Sequence, residues 1–228
     1  MQPLTPDLLL KAYSVGVFPM ADRRDAEDVY WVEPRRRGIL PLETFHLPHR
    51  LARTLRQERF ELSANRDFVA VMHGCAEPAE GRGETWINDA IITAYSALHR
   101  RGHAHSLEVW QDGALVGGLY GVALGAAFFG ESMFTRVRDA SKVALAHLVA
   151  RLRLGGFTLL DTQFLTPHLA QFGSIEIGRE PYRALLAEAV SRRADFFAFD
   201  CPDPDDPITT VSGPRSGKRI AQLLTQTS

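Results

Sequence analysis

The segment from Leu115 to Phe134 reads LVGGLYGVALGAAFFGESMF. Glycines interrupt two apolar runs, and the second run ends at Glu131. Glycines at this density inside strand-like sequence indicate close approach by another backbone or by a ligand. An acid directly after small and apolar residues is expected at the rim of an apolar cavity. The segment therefore predicts two strands with room for a ligand, in which an apolar side chain enters the cavity and Glu131 holds a cationic amine.

Helical and strand-like segments alternate on both sides of this stretch. Ile87 to Arg101 places apolar residues on one helical face and stops before a glycine. Ala104 to Gln111 is strand-like, and Asp112-Gly113 is typical of a hairpin turn. Asp139 to Leu154 predicts a strong helix, capped by Asp139 or Ser141, before a buried strand. This order predicts an α/β (α+β) fold in which helices flank a mixed sheet.

The composition predicts a folded protein in three parts. The chain has 228 residues, of which 45% are hydrophobic and 23% are charged, which argues against disorder. We expect a small N-terminal lobe over residues 1–60, a main domain over residues 61–200 and an irregular tail over residues 201–228. Two cysteines without CxxC spacing suit a cytoplasmic protein, and we expect neither a signal peptide nor a membrane span.

The charges are uneven along the chain, although the formal net charge is -1. Seven arginines lie between Arg35 and Arg59. A helix predicted around residues 49–58 exposes three of them, Arg50, Arg53 and Arg56. Such a cluster is usually a solvated face, but it can also bind the phosphates of a nucleic acid. These three arginines are therefore candidate phosphate-binding residues.

A second candidate site follows the apolar strand that ends at Leu160. Asp161 and Gln163 come next, two residues apart, so their side chains point to the same side of an extended chain. Acids just past a strand often lie in the ligand crevice of α/β folds. An Asp–Gln pair can orient an amine and take up its proton. The alternative is that Asp161 only caps the following segment.

Several other functions are disfavoured by the motifs. The histidines lack the spacing of a zinc site such as HExxH, so we expect no metal. The chain has no Walker A loop and no GxGxxG opening a helix. The segment Thr135–Arg138 contains no glycine, whereas an acetyltransferase that uses acyl-CoA would place a glycine-bearing pyrophosphate loop before the central helix.

Blocks of sequence along most of the chain resemble the leucyl/phenylalanyl-tRNA–protein transferases. The blocks are YSVGVFP at 13–19, RGILP at 37–41, TWI at 85–87, HAHSLEVW at 103–110, LVGGLYG at 115–121, GESMF at 130–134, ASK at 140–142 and DTQ at 161–163. The resemblance extends from about Tyr13 to Tyr182. It implies an acetyltransferase-like (GNAT-like) main domain that uses aminoacyl-tRNA in place of acyl-CoA.

The resemblance also implies an activity. Enzymes of this family take Leu or Phe, and Met more weakly, from aminoacyl-tRNA and form a peptide bond with the N-terminal amine of proteins beginning with Lys or Arg. The product then enters N-end rule degradation. The ester donor is already activated, so we expect no cofactor and no ATP. The partners implied are aminoacyl-tRNA and the acceptor protein, in the cytoplasm and without a membrane.

The residues that match the family's motifs have implied roles. Asp161 and Gln163 match the pair that activates the attacking amine, and Glu131 matches the acid that contacts the aminoacyl amino group. The apolar pocket is implied to include Phe128, Leu119 and Ser132, and Trp86 and Tyr95 match residues near the terminal adenosine and the reaction centre. The phosphate-binding role of Arg50, Arg53 and Arg56 then becomes a role in tRNA binding.

Two departures from the family's pattern bear on specificity. Met20 occupies a position where tryptophan is common, and Leu148 and Leu152 occupy pocket-side positions where an aromatic residue is common. Two other functions remain open. One is an N-acetyltransferase that uses acyl-CoA, and the other is an adaptor that binds protein N-termini or tRNA without transfer.

Overall fold

The computed structural model describes residues 4–26, 28–78, 85–201 and 217–225. The helices are α1 Pro6–Ser14, α2 His49–Arg56, α3 Phe68–Ala76, α4 Asp89–Arg100, α5 Ala140–Leu154, α6 Pro167–Ala170, α7 Arg179–Ser191 and α8 Gly217–Thr225, with a 3₁₀ turn at Ala198–Asp200. The strands are β1 Phe18–Met20, β2 Tyr30–Val32, β3 Arg36–Ile39, β4 Glu61–Ala64, β5 Ala104–Gln111, β6 Ala114–Leu124, β7 Ala127–Thr135, β8 Leu159–Gln163 and β9 Ile175–Gly178.

Seven of the strands form one mixed sheet in the order β4-β5-β6-β7-β8-β3-β9. Every neighbouring pair is antiparallel except β7 and β8, which are parallel and are joined by helix α5. A parallel pair needs a crossover of this kind, whereas the antiparallel pair β5–β6 needs only the turn at Asp112-Gly113. The predicted mixed sheet with flanking helices is confirmed.

Helices cover both faces of this sheet. The long apolar helix α5 packs on one face, against Leu119 and Phe128, and α2 and α8 pack against α5. On the other face, α1, α3, α4 and α7 contribute buried residues that include Tyr13, Tyr95 and Tyr182. Full burial of one large apolar side chain stabilises a fold by about 1.5–3 kcal/mol, so these two cores hold the sheet in place.

The first sixty residues contribute to both sheets. Strands β1 and β2 form a separate two-stranded sheet, but β3 lies inside the large sheet between β8 and β9. The backbone hydrogen bonds of β3 to β8 and β9 therefore join the predicted lobe to the main domain. The domain boundary at residue 60 stays a prediction.

Most of the tail that was expected to be irregular, residues 202–216 and 226–228, lies outside the described residues, but the part between them is helical. Residues 217–225 form helix α8, which buries Ile220, Ala221 and Leu224. Gly217 lies so close to α2 that an added Cβ atom would stand 2.3 Å from the carbonyl oxygen of Leu55. These apolar residues have the spacing of a helix. The helix was not predicted because the sequence before it is rich in proline.

The glycines of β6 serve backbone and core packing, which corrects the expectation that they make room for a ligand. An added Cβ atom at Gly121 would lie 2.3 Å from the Phe129 carbonyl oxygen and 2.4 Å from the Phe128 ring. At Gly118 it would lie 2.7 Å from the Leu107 carbonyl oxygen. The close approach is therefore by neighbouring strands.

Candidate active site

A cavity of roughly 800 Å³ opens where β7 and β8 end their parallel pairing. The paired residues run from Ala127–Leu159 to Phe129–Asp161. Residues that follow on both strands line the cavity, together with residues of α5 and α6. The lining residues are Leu119, Tyr120, Gly130, Glu131, Ser132, Met133, Leu145, Leu148, Leu160, Thr162, Gln163, Phe164, Thr166, Pro167, His168 and Leu169. Most of the wall is apolar, with a few polar groups among the lining residues, as is usual for small-ligand sites.

Glu131 reaches this cavity because it lies on a β-bulge. Tyr120 pairs with Ser132 and Gly121 pairs with Gly130, so Glu131 is the extra residue on β7. A bulge bends its strand and re-aims a side chain. The carboxylate is thus held beside the cavity rather than at a solvent-exposed strand end.

Two buried tyrosines hold the Glu131 carboxylate. The Tyr13 hydroxyl donates to Oε1 at 2.6 Å, and the Tyr95 hydroxyl donates to Oε2 at 3.3 Å. The two tyrosine hydroxyls also lie within hydrogen-bonding distance of each other, so Tyr95 shares its one proton between Glu131 and Tyr13. Burial raises the pKa of Glu131 to about 7, and the hydrogen bond from Tyr13 opposes this rise only in part. Glu131 is therefore poised to gain or lose its charge near neutral pH.

Asp161 lies at the end of the paired region and is fully buried. Arg37 forms a bidentate ion pair with it, at 2.9 Å from Nε to Oδ1 and 2.7 Å from Nη2 to Oδ2. The Tyr182 hydroxyl donates to Oδ2 at 2.5 Å, and the backbone N–H of Gln163 donates to Oδ1 at 2.7 Å. Both oxygens are occupied and held by a cation. This arrangement lets Asp161 fix the positions of Arg37, Tyr182 and the backbone of Gln163.

Gln163 is the polar group that this anchor presents to the cavity. Its backbone has φ +62°, a left-handed conformation that costs energy for a residue with a side chain. The side chain is buried, and its Nε2 atom makes no hydrogen bond of ordinary length and angle to any residue that the structure describes. The amide also faces the Glu131 carboxylate, whose pKa it lowers. A strained, unsatisfied amide in a cavity is typical of a functional group.

The structure brings together most of the predicted pocket residues. Leu119 and Ser132 line the cavity, and Tyr95 lies behind it against Glu131. Phe128 does not line it, because its side chain turns into the core and stacks on Phe196 at 5.8 Å between ring centroids. Trp86 is half-buried against the core on the far face of the sheet, outside the cavity wall.

Leu148 and Leu152 of α5 were both expected to face the pocket, but only Leu148 lines the cavity. Leu148 lines the cavity, one turn after Leu145, which also lines it. Leu152 is buried but lies one turn further along α5, outside the cavity wall. Leu145 and Leu148 therefore set the width of the cavity on the α5 side.

The arginines of the basic segment separate into two groups. Arg50, Arg53 and Arg56 are exposed on α2. Arg37 is buried, and its guanidinium stacks between Phe18 and Tyr182 while pairing with Asp161. Of the seven arginines between positions 35 and 59, Arg37 therefore cannot belong to a solvated or phosphate-binding face.

Three functional residues were missed from the sequence: Tyr13, Arg37 and Tyr182. Tyr13 lies between the apolar residues of α1, so its hydroxyl gave no signal by itself. Arg37 directly precedes the apolar strand sequence Gly38–Leu40, and that position was the available sign that it points inward. Tyr182 lies on an amphipathic helix beside the buried Leu186 and Ala189, and only the packing of α7 brings its hydroxyl to Asp161.

Comparison with known proteins finds the same family along nearly the whole chain. A family profile described as leucyl/phenylalanyl-tRNA protein transferase matches residues 39–187, and the profile of that family's N-terminal domain matches residues 2–35. A leucyl/phenylalanyl-tRNA–protein transferase of Rhizorhabdus wittichii is 56% identical and covers 100% of both chains. One of Paramagnetospirillum magneticum is 62% identical over 86% of this chain and 94% of its own. A solved structure of FemX aligns with a TM-score of 0.48 and 13% identity, over 79% of this chain and 71% of its own.

Proposed function

The chain belongs to the leucyl/phenylalanyl-tRNA–protein transferase family, whose members are aminoacyltransferases, and from this premise we propose its substrates. We propose that it moves Leu or Phe, and Met more weakly, from aminoacyl-tRNA to the free α-amino group of proteins that begin with Lys or Arg. The modified proteins would then enter N-end rule degradation in the cytoplasm. Within the described residues, no helix is both long and apolar enough to span a membrane.

The observation that carries this proposal is the apolar cavity with one buried carboxylate and one unsatisfied amide at its side. In the proposed complex the Leu or Phe side chain fills the cavity between Leu145, Leu148 and Leu160. The ionised Glu131 holds the α-ammonium group of the aminoacyl ester. A branch at Cβ would press against the narrow part of such a cavity, so Ile and Val are poorer substrates, by roughly 1–3 kcal/mol.

In the proposed reaction the acceptor amine attacks the ester carbonyl next to Gln163. The new C–N bond forms as the ester C–O bond breaks, and the amine loses a proton while the departing 3′-oxygen of the tRNA gains one. Gln163 orients the amine through its amide group, and orientation of two bound reactants lowers the barrier by a large factor. Asp161 acts as a positioning residue, because it fixes the backbone of Gln163 and pairs with Arg37.

The exposed arginines of α2 complete the proposal. Arg50, Arg53 and Arg56 are proposed to contact the phosphates of the tRNA. Because the release of counterions makes such contacts salt-dependent, replacement of these arginines by glutamine should make tRNA binding less sensitive to salt.

The proposed activity is tested by transfer of radiolabelled leucine from Leu-tRNA to a peptide with N-terminal Arg. We expect transfer by the wild-type protein, and no transfer with active Leu-tRNA would refute the proposal. Gln163→Ala should lower kcat by at least tenfold with a small change in KM. Thr162→Ala, next to it, is the matched control and should alter kcat much less. Asp161→Asn separates the two roles of Asp161, because an anchor affects kcat without moving the pH dependence, whereas a general base would move it.

A further inference from the structure

A second cavity of roughly 560 Å³ adjoins the candidate active site. Met133 and His168 line both cavities, so the two are neighbours along one groove. The second cavity also includes Arg136, Arg138 and Lys142 in its wall. The character of the groove thus changes from apolar at Leu148 to cationic beyond Met133. A ligand with an apolar end and an anionic continuation matches this change.

The positive charges of this second cavity outnumber the carboxylates around them. Three cations share the single carboxylate of Asp139: Lys142 at 3.4 Å, Arg138 at 3.8 Å and Arg59 at 3.8 Å. The fourth cation, Arg136, pairs with Glu77 at 2.6 Å. One carboxylate cannot neutralise three cations, so a net positive charge remains beside the cavity.

Asp139 holds these cations instead of capping helix α5. It precedes the helix but makes no side-chain capping hydrogen bond, and its φ is +70°. The sequence left open whether Asp139 or Ser141 caps the helix; Asp139 makes no capping hydrogen bond, and its carboxylate lies against the cations instead. Arg138 has 81% of its side chain exposed, so its guanidinium can still meet a ligand. Asp139 therefore gathers cations without burying them.

His168 adds a polar group where the two cavities meet. Its Nε2 atom is buried and has no hydrogen-bond partner in the described ranges. Burial, together with the nearby Lys142, lowers the pKa of the ring, so the imidazole is neutral and adds no charge. A neutral imidazole at this point suits a hydroxyl partner, such as a ribose hydroxyl, between an apolar group and a phosphate.

We propose that the second cavity binds the phosphodiester backbone of the 3′-terminal nucleotides of aminoacyl-tRNA, through Arg138, Lys142 and Arg136. This inference rests on the proposed function, because it places the nucleotides next to the aminoacyl group. Arg59 lies between this cavity and the end of α2, so the cations continue toward Arg56. The path of the RNA then runs from the active site across the start of α5 to the face of α2.

The test measures binding of an uncharged RNA hairpin, so it does not require transfer activity. One hairpin carries an acceptor-type stem with a single-stranded ACCA 3′ end, and a second hairpin has the same stem with a blunt end. Binding of each is followed by fluorescence anisotropy from 50 to 400 mM KCl. The variant is Arg138→Gln/Lys142→Gln. The matched control is Lys11→Gln/Arg100→Gln, which removes the same charges from exposed positions on helices of the opposite sheet face.

We expect the Arg138→Gln/Lys142→Gln variant to lose affinity for the ACCA hairpin and to keep its affinity for the blunt hairpin. Removal of two contacts to single-stranded phosphates should reduce the slope of log affinity against log salt by about 1.4 and weaken binding at 100 mM salt by about 25-fold. The variant should lose most of its preference for the ACCA hairpin, because two of the three proposed contacts to the single-stranded end are gone and only Arg136 remains. The control should retain the wild-type preference for the ACCA hairpin.

Two results would overturn the inference. In the first, the variant and the control have the same affinity and salt dependence. In the second, the variant loses affinity equally for both hairpins, which would place its contacts on the duplex. Thermal melting of each variant, and the charge reversal Arg138→Glu, separate a loss of fold from a loss of contact. Failure of leucine transfer together with normal hairpin binding would refute the proposed function and not this site.

Discussion

Replacement of Glu131 by glutamine should stabilise the protein at alkaline pH while it removes activity. Glu131 is buried beside Tyr13 and Tyr95, and burial raises its pKa from 4.5 to about 7. Each unit of pKa corresponds to about 1.4 kcal/mol, so ionised Glu131 lowers the free energy of unfolding by about 3 kcal/mol relative to the neutral acid. Glutamine has the shape of the neutral acid and no charge at any pH.

The sign of the effect follows from the direction of the pKa change. Below pH 4.5 the acid is protonated in both the folded and the unfolded protein, so glutamine brings no advantage. As the pH rises from 4.5 to 7, the unfolded acid ionises first, and the wild-type protein loses stability that the variant keeps. Above pH 7 the variant should be more stable by up to about 3 kcal/mol.

The hydrogen bonds around position 131 survive the change. Tyr13 can donate to the amide oxygen as it donates to Oε1, and the amide N–H group can donate to Tyr95. Urea unfolding at pH 5 and pH 8.5 measures the difference between wild type and variant. A difference that does not change with pH, or a variant that is less stable at both values, would refute the reasoning. Leucine transfer should fall at least tenfold, since the amide cannot pair with the donor's ammonium group.

Three further predictions test the neighbouring groups. Arg37→Met leaves the buried Asp161 carboxylate without its cation and should lower the free energy of unfolding by about 3–5 kcal/mol, measured by urea titration; a loss below 1 kcal/mol would contradict the buried ion pair. Tyr13→Phe removes a hydrogen bond that favours ionised Glu131, so the acid limb of the kcat/KM profile should move up by about one pH unit, and an unmoved profile would exclude Glu131 as the group observed. Leu148→Phe narrows the cavity and should lower transfer of Phe relative to Leu by about tenfold in competition assays, whereas equal losses would place the aminoacyl side chain elsewhere.

The residues of the site were predictable where they belong to contiguous motifs. Glu131 after the GAAFFG run and the Asp161–Gln163 pair after an apolar strand were identified from local pattern and from the family resemblance. The structure places Glu131 and Gln163 at one cavity, and it gives Asp161 a different place, buried behind Gln163. Phe128 belonged to the same motif, but the alternation of the strand turns it into the core.

The partners of these groups come from distant parts of the chain. Tyr13 reaches Glu131 across 118 positions, and Arg37 reaches Asp161 across 124. No local spacing reports such pairs, because they exist only when α1 packs on the sheet and β3 pairs with β8. The same packing surrounds the Asp161 carboxylate with Arg37, Tyr182 and the backbone N–H of Gln163.

The sequence by itself determined most elements of the fold, the family and the chemical types at the site. The period of the hydrophobic residues, the turn residues and the contiguous motifs are local properties, so they can be recognised from the sequence alone. The tertiary structure alone decided that the Glu131 carboxylate faces the cavity and that burial raises its pKa. It also decided which cations lie beside the cavity. These properties depend on burial and on distances between separate elements, and such distances are fixed only when the whole sheet has assembled.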